Sequence, residues 1–176
     1  MRIIAGEKRG AKIVAPKGHD TRPTSDRARE SAFNLIGPVD DAAVLDLFAG
    51  SGAYGLEALS RGAERATFVD SAPAALRALR ANLAALGADA EVVRADALRW
   101  LRAASGGRRQ YSLVFLDPPY RRAAALGAEL SDALPAVLGP GALVISESDR
   151  RAPLELTMPT NDERRYGDTL IRFHGP

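Results

Sequence analysis

The sequence predicts an α/β fold in which a seven-stranded, mostly parallel sheet carries helices on both faces. Short apolar runs alternate with helical stretches through most of the chain, and this alternation is typical of βαβ units. Near the C-terminus, two further strand-like runs flank Gly167 and Asp168, a dipeptide that favours a tight β-hairpin. We therefore expect an antiparallel hairpin to close one edge of the sheet.

The remaining elements follow from the apolar pattern and its turn residues. Residues 2–7 and 11–15, separated by residues 8–10, predict a small N-terminal β-hairpin. Thr24 or Ser25 can cap the next helix, which should end before Gly37 and Pro38. The predicted strands are residues 43–48, 66–70, 90–94, 113–117, 142–147, 164–166 and 169–173. The predicted helices are residues 53–61, 74–86, 97–103 and 123–138, the last broken or kinked by Gly127 and Pro135.

Composition excludes several classes of protein. The 176 residues suit one domain, and 46% hydrophobic residues are sufficient for a packed core. No apolar run approaches the ~18 residues of a membrane span, and the N-terminal run is too short for a signal peptide. The chain has no cysteine, which excludes disulfides and thiolate–metal sites. We expect a cytoplasmic protein without a metal.

Charge is distributed unevenly along the chain. Residues 1–30 carry eight basic and four acidic side chains, a balance of +4, whereas the remaining sixteen basic and eighteen acidic side chains give −2. A basic N-terminal segment predicts contact with a polyanion such as the phosphates of a nucleic acid. A solvated terminal segment is the alternative. The candidate nucleic-acid-binding residues are Arg2, Lys8, Arg9, Lys12, Arg22 and Arg27, of which Arg22 and Arg27 could instead brace a ligand crevice through a carboxylate.

A glycine turn (residues 49–52) follows the first strand of the predicted sheet. Its glycines let the backbone approach a ligand closely and open a helix whose N-terminus faces the site. Asp70 ends the next strand, where a carboxylate can accept hydrogen bonds from ribose hydroxyls, and Asp96 could reach an adenine amino group. The candidate cofactor-binding residues are Asp46, Phe48, Ala49, Gly50, Ser51, Gly52, Asp70, Ser71, Asp96, Ala97 and Asp117.

The identity of the nucleoside depends on Asp46. Residues 50–55 match the G-x-G-x-x-G fingerprint, so NAD is a candidate. A negative charge just before the glycines does not help to bind a pyrophosphate, but it favours the ammonium and sulfonium groups of S-adenosylmethionine. Asp46 therefore favours S-adenosylmethionine, with capping of backbone groups as the alternative role for this side chain.

The catalytic candidates are four consecutive residues at the end of the fourth parallel strand: Asp117, Pro118, Pro119 and Tyr120. Open α/β sheets bind their ligands at this edge. Asp117 and the Pro118 carbonyl can accept the two N–H hydrogens of an amino group on a planar base, and Tyr120 can stack on its face. The two prolines fix φ and so orient the acceptors in advance. A Pro-rich turn is the structural alternative.

These motifs resemble those of the class I S-adenosylmethionine-dependent methyltransferases, and more narrowly the bacterial 16S rRNA guanine-N2 methyltransferases of the RsmD type. The similarity covers nearly the whole chain, and its most specific segment is Arg-Pro-Thr-x-Asp-Arg at residues 22–27. Tyr54 departs from the usual leucine. The resemblance implies a Rossmann-like class I fold, with an RNA-contacting arm at residues 1–24 and a methyltransferase domain at residues 25–176.

The resemblance also implies methyl transfer to N2 of a guanine in 16S ribosomal RNA, within the small ribosomal subunit or an assembly intermediate. We expect a monomer. The acceptor pair alone does not distinguish guanine N2 from adenine N6, so a DNA or RNA adenine-N6 methyltransferase is the nearest alternative. An NAD-dependent oxidoreductase leaves residues 117–120 unexplained, and a non-catalytic RNA-binding assembly factor does not need carboxylates at three strand ends.

Overall fold

The computed structural model describes residues 1–16, 26–104 and 109–175. These residues form seven strands: β1 (Ala43–Leu47), β2 (Arg65–Asp70), β3 (Glu91–Arg94), β4 (Tyr111–Leu116), β5 (Leu138–Asp149), β6 (Thr160–Tyr166) and β7 (Thr169–His174). The described helices are α1 (Asp26–Ile36), α2 (Ala53–Ser60), α3 (Pro73–Leu86), α4 (Ala97–Ala104) and α5 (Tyr120–Ala133), with a short 3₁₀ helix at Leu134–Ala136.

All seven strands belong to one sheet in the order β3-β2-β1-β4-β5-β7-β6. Strands β1 to β5 pair in parallel, and β7 pairs antiparallel with both β5 and β6. The predicted sheet, with its antiparallel C-terminal hairpin, is confirmed. The chain runs outward from β1 to β3 and then returns to place β4 on the other side of β1. This reversal opens a crevice at the carboxyl ends of β1 and β4, which is where such sheets bind ligands.

The sheet separates two hydrophobic cores. Every residue of β1 is buried, as expected of a central parallel strand covered on both faces. On one face, α1, α2 and α3 pack around Val44, Phe68 and Phe115. On the other face, α4 and α5 pack around Leu45 and Leu116. Successive β1 side chains therefore alternate between the cores, which fixes the register of the strand that precedes the glycine turn.

Helix α5 differs from its prediction at Gly127. The helix continues through this residue to Ala133, and the break comes with Pro135 in the 3₁₀ helix. A Cβ atom on Gly127 would lie 2.1 Å from the carbonyl oxygen of Glu155. Gly127 therefore permits close packing of the segment before β6 instead of interrupting the helix, and the predicted break at this position is wrong.

The N-terminal hairpin is present but shorter than predicted. Its cross-strand contact is an antiparallel bridge between Arg2 and Lys12, supported by the bond from the Ile3 N–H to the Ala11 carbonyl (2.9 Å). The hairpin loop begins near Ile4 because the next two N–H groups turn away to Glu57. The predicted caps Thr24 and Ser25 lie outside the described residues.

The helices of the described ranges are all too short or too polar to cross a membrane.

Candidate active site

The glycine turn reverses the chain through three residues in the left-handed region. Phe48 has φ of 60°, Gly50 has 56° and Gly52 has 79°. Phe48 is the unusual member, because a residue with a Cβ atom is sterically strained in this conformation. The turn delivers the chain directly into α2, whose first residue is Ala53. The backbone of residues 48–52 is therefore presented at the carboxyl edge of β1, as the sequence predicts.

The three glycines of the G-x-G-x-x-G match serve different purposes. A Cβ atom on Gly52 would lie 2.4 Å from the Leu79 side chain, and one on Gly55 would lie 2.3 Å from the Phe68 ring. At these two positions a side chain is excluded, because α2 packs closely against β2 and α3. At Gly50 the nearest atom is the Phe48 carbonyl oxygen, 3.9 Å away. Gly50 is thus the glycine with open space beside it, which a ligand can fill.

Asp70 holds the glycine turn to the end of β2. One carboxylate oxygen accepts the Gly50 N–H at 2.8 Å, and the other accepts the Ala72 N–H at 2.8 Å. A carboxylate has about four lone-pair sites, so the partly exposed Asp70 keeps acceptor capacity after these two bonds. This arrangement is compatible with the predicted bonds from ribose hydroxyls, which stay a prediction.

Asp46 lies beneath the first turn of α2 and is buried. Its Oδ2 atom accepts the N–H of Gly55 at 3.0 Å, so it satisfies one of the free N–H groups of the helix start. The capping role is therefore present in the structure. Burial raises the pKa of Asp46 to about 8, the Gly55 N–H opposes this, and the charge of Asp70 adds to it. A role of Asp46 toward the cofactor ammonium stays a prediction.

Asp96 precedes α4 and is partly exposed. Its Oδ1 atom accepts the Arg99 N–H at 3.2 Å, which caps α4, and its Oδ2 atom lies 3.9 Å from a guanidinium nitrogen of Arg122. Residues at the ends of β2 and β3 are joined by the bond from the Ala95 N–H to the Asp70 carbonyl (3.1 Å). Asp70 and Asp96 therefore lie on neighbouring strand ends, which is the placement that the sequence predicts.

Asp117 directly follows Leu116, the last residue of β4, which pairs with Leu47 of β1. Phe48 and Asp117 are therefore side by side, with adjacent strands ~4.8 Å apart. Asp117 is partly exposed and Pro118 is buried. The Pro119 carbonyl accepts the Arg122 N–H at 2.8 Å, whereas within the described ranges the Pro118 carbonyl accepts no hydrogen bond. Two acceptors thus stand at this edge, and α5 begins immediately after them.

A buried tyrosine–glutamate pair that no sequence motif predicts lies behind this edge. The Tyr54 hydroxyl donates to Oε2 of Glu147 at 2.8 Å, and its ring stacks on Phe115 with centroids 4.7 Å apart. Burial raises the pKa of Tyr54 well above its usual value, and the charges of Glu147 and Asp117 raise it further. Tyr54 therefore stays protonated as a hydrogen-bond donor. No local sequence pattern signals a bond between residues 93 positions apart.

The N-terminal arm is anchored by two polar side chains of α2 that no sequence motif predicts. Glu57 accepts the N–H groups of Ile4 (2.7 Å) and Ala5 (3.0 Å). Ser60 accepts the Lys8 N–H at 2.9 Å and donates to the Ala5 carbonyl at 2.7 Å. These contacts hold residues 4–8 of the arm against α2. The division of the chain at residue 24 stays a prediction.

The predicted RNA-binding side chains of the described residues are available to solvent. Arg2, Arg9, Lys12 and Arg27 are exposed and Lys8 is partly exposed. Lys8 pairs with Glu7 at 2.9 Å, and Arg2 pairs loosely with Asp26 at 3.8 Å. Arg22 lies outside the described residues, and the structure describes no part of the Tyr120 side chain.

A separate groove of about 430 Å³ lies between the arm and the C-terminal ends of α1 and α2. Its lining residues are Ala5, Gly6, Phe33, Asn34, Gly37, Pro38, Val39 and Arg61. These residues precede β1 or follow α2, whereas the candidate site lies after β1. The groove is therefore a feature apart from the candidate active site.

Known proteins resemble this chain in sequence and in fold. The model of the family described as "Conserved hypothetical protein 95" matches residues 1–175. The chain belongs to this family. It is 48% identical over 124 residues to the ribosomal RNA small subunit methyltransferase D of Escherichia coli (strain K12), a match that covers 69% of this chain and 61% of the relative. For the protein of the same name from Haemophilus influenzae, identity is 36% over 163 residues, covering 88% and 81%.

A solved structure extends the similarity to the whole fold. The Escherichia coli protein yhhF, described as a candidate methyltransferase, superimposes with a TM-score of 0.80 at 37% identity, covering 99% of this chain and 97% of that one. The predicted resemblance to the RsmD-type family is confirmed, and so is the class I methyltransferase fold. The individual site residues stay predictions.

Proposed function

We propose that this protein transfers a methyl group from S-adenosylmethionine to N2 of a guanine in 16S ribosomal RNA. One observation carries the proposal: two hydrogen-bond acceptors, Asp117 and the Pro118 carbonyl, stand level with the glycine turn at adjacent strand ends. This arrangement supports an acceptor site for an amine beside the proposed site for a nucleoside. The names of the relatives support ribosomal RNA as the substrate.

The residues of the first three strand ends fit the cofactor. The space beside Gly50 admits a ligand against the backbone. Asp70 keeps lone pairs for the ribose hydroxyls, and Asp96 can accept from the adenine amino group. The negative potential of these carboxylates suits a cationic molecule. S-adenosylmethionine supplies an electrophilic methyl group on its sulfonium.

Asp117 and Pro118 act on the nucleophile. The lone pair of a guanine amino group is delocalised into the ring, which makes the amine a poor nucleophile. Two acceptors that hold its N–H groups favour a pyramidal nitrogen with its lone pair directed at the methyl carbon. The new C–N bond then forms as the C–S bond breaks, and the amine proton passes to Asp117 or to water. Orientation of this kind supplies up to ~7–11 kcal/mol of a barrier.

The N-terminal arm provides the surface for RNA. Arg9 and Lys12 are exposed and have no ion-pair partner among the described residues, so they can pair with phosphates. The target base must be unpaired or flipped out to reach Asp117, and Tyr120 is the residue proposed to stack on it. A small ribosomal subunit or an assembly intermediate, bound by a monomer in the cytoplasm, is the proposed setting.

Substitution of Asp117 tests the catalytic assignment. For Asp117→Ala, we expect incorporation of labelled methyl into ribosomal RNA to fall by ~10²-fold or more, the scale of losing one catalytic hydrogen-bond partner. S-adenosylmethionine affinity, measured by calorimetry, should fall far less. Asp132→Ala on the exposed side of α5 is the matched control and should retain full activity. Unchanged incorporation by Asp117→Ala would remove Asp117 from the mechanism.

Mapping the product tests the substrate. Ribosomal RNA from a strain lacking this protein should lack one N2-methylguanosine of the small subunit and regain it on complementation. A missing N6-methyladenosine would favour the adenine alternative. Tight NAD binding without S-adenosylmethionine binding would refute a methyltransferase.

A further inference from the structure

Asn82 of α3 joins the N-terminal arm to the glycine turn. Its Oδ1 atom accepts the Val14 N–H at 2.9 Å, and its Nδ2 atom donates to the Val14 carbonyl at 3.0 Å. The same Nδ2 atom donates to the Ser51 carbonyl at 2.9 Å. The side chain is buried, so these bonds form in a low-dielectric environment where an unmade bond is costly.

The other polar contacts of the arm do not extend to the turn. Glu57 and Ser60, which hold residues 4–8, lie in the C-terminal half of α2. Within residues 1–16, 26–104 and 109–175, Asn82 is the side chain that hydrogen-bonds both the arm and residues 49–52. One amide group therefore links a segment with exposed basic residues to the backbone proposed to receive the cofactor.

The bond to Ser51 fixes a peptide plane that glycine leaves free to rotate. Because the Ser51 carbonyl points to Asn82, the Gly52 N–H points to the Ala49 carbonyl at 2.6 Å. Gly52 is left-handed, with φ of 79° and ψ of 20°, and glycine has several alternatives to this conformation. The Nδ2 donor of Asn82 selects the conformation that the turn has here.

We propose that Asn82 is a positioning residue that couples RNA binding at the arm to cofactor binding at the glycine turn. This inference rests on the proposed function. RNA bound to the arm also restrains Val14, whose two hydrogen bonds then order the Asn82 side chain. Asn82 in turn fixes the peptide plane between Ser51 and Gly52 before the cofactor binds. The cofactor then binds a glycine turn whose conformational entropy has already been reduced by RNA binding. Coupling is reciprocal, so bound cofactor strengthens RNA binding by the same factor.

The test compares cofactor affinity with and without RNA. The probe is S-adenosylhomocysteine, so that no methyl is transferred during calorimetry. The RNA is a small-subunit rRNA fragment that contains the target. In the wild-type protein, we expect saturating RNA to tighten S-adenosylhomocysteine binding by about three- to tenfold, the weight of roughly one hydrogen bond. The ratio of the two dissociation constants is the readout, because general destabilisation lowers both affinities and leaves their ratio unchanged.

Two variants remove the link in different ways. Asn82→Asp keeps the acceptor for the Val14 N–H and removes both donated bonds, and its ratio should fall to about one. Val14→Pro removes the Val14 N–H at an exposed side chain, so it tests the arm side of the link without altering the buried position. Its ratio should lie between those of wild type and Asn82→Asp.

Ser60→Ala is the matched control, because it removes arm bonds that do not reach the turn. Its ratio should stay at the wild-type value. A wild-type ratio of one, or a ratio that persists in both variants, would overturn the coupling while leaving the proposed function intact. A wild-type protein that binds neither ligand would instead overturn the proposed function, and the coupling with it.

Discussion

The guanidinium of Arg29 lies 3.8 Å from the carboxylate of Glu57, and neither side chain is exposed to solvent. Arg29 also donates to the Arg2 carbonyl and to Asp26, while Glu57 accepts from the arm backbone and from Arg61 at 2.7 Å. Within the described ranges the Nε and Nη1 atoms of Arg29 have no hydrogen-bond partner. The negative charge of Glu57 therefore helps to compensate the buried positive charge of Arg29. The pair joins α1, α2 and the arm.

Removing the charge of Glu57 should destabilise the protein strongly. Glu57→Gln keeps the size of the side chain but leaves the buried Arg29 with the partly exposed Asp26 as its acidic partner, and breaking a buried ion pair costs up to about 3–5 kcal/mol. Urea unfolding measures this effect. Glu64→Gln is the matched control, because Glu64 pairs with Arg65 at the surface, where both side chains are more than half exposed, and should change stability by about 0–1 kcal/mol. Equal losses of unfolding free energy in the two variants would show that the buried pair stabilises the protein no more than a surface pair does.

Gly50 and Gly55 should respond differently to alanine. Gly55→Ala gains helix propensity, but its new methyl group would lie 2.3 Å from the Phe68 ring, closer than van der Waals contact allows, so overpacking of about 1–3 kcal/mol should dominate. Gly50→Ala meets no neighbouring side chain and introduces only the left-handed strain of about 1–2 kcal/mol. Its methyl group instead occupies the space proposed for the cofactor.

Thermal unfolding and calorimetry with S-adenosylmethionine separate these two effects. We expect Gly50→Ala to lose cofactor affinity beyond what its stability accounts for, and Gly55→Ala to lose stability while its folded fraction still binds. Undiminished cofactor binding by Gly50→Ala would place the cofactor away from this glycine.

Asp46 should make stability depend on pH. Because burial raises its pKa in the folded protein to about 8, the native state holds a proton that the unfolded chain releases near pH 4. The stability that this proton contributes is fully present below about pH 4 and is lost as pH rises through 8. Asp46→Asn keeps an acceptor for Gly55 and cannot ionise. Its stability relative to wild type should increase by up to about 1.4 kcal/mol per pH unit between those limits and level off above them.

Urea titrations of both proteins from pH 5 to pH 9 measure this difference. Parallel stability curves across that range would mean that Asp46 has an ordinary pKa in the folded protein.

The parallel core was predictable because its strands are continuous apolar runs ended by turn residues. The boundaries of β1 to β4 deviate from prediction by only one or two residues. Strand β5 was predicted to begin at residue 142 but begins at Leu138, because Gly139, Pro140 and Gly141 are typical of a turn. The register shift between Tyr111 and Leu113 of β4 accommodates these residues within the strand.

The residues that anchor the arm were not predictable from local patterns. Polar residues in a helix usually face solvent, but three of them here, Glu57, Ser60 and Asn82, are buried. Their partners are between 52 and 68 residues away in the sequence. The strand-end carboxylates could be located because parallel strands end at one edge of the sheet, whereas a buried polar contact between distant segments leaves no periodic signal.

The exposed basic residues of the arm should control RNA affinity and its salt dependence. In Lys8→Ala/Arg9→Ala/Lys12→Ala, each phosphate that is no longer neutralised should reduce the slope of log affinity against log salt by ~0.7–0.9, so the triple variant should be shallower by about two. S-adenosylmethionine affinity without RNA should hardly change, because within the described ranges none of these side chains hydrogen-bonds the glycine turn. Filter binding of a small-subunit rRNA fragment at several salt concentrations measures the slope.

The matched control removes three positive charges elsewhere on the surface. Arg65, Arg77 and Arg109 are exposed and lie outside the arm, so their alanine triple variant has the same net charge as the arm variant. If RNA affinity depends only on the overall charge of the protein, both triples will weaken binding equally. A localised interface predicts that the arm variant alone has the shallower salt dependence, and an arm variant with wild-type affinity would make residues 8–12 structural.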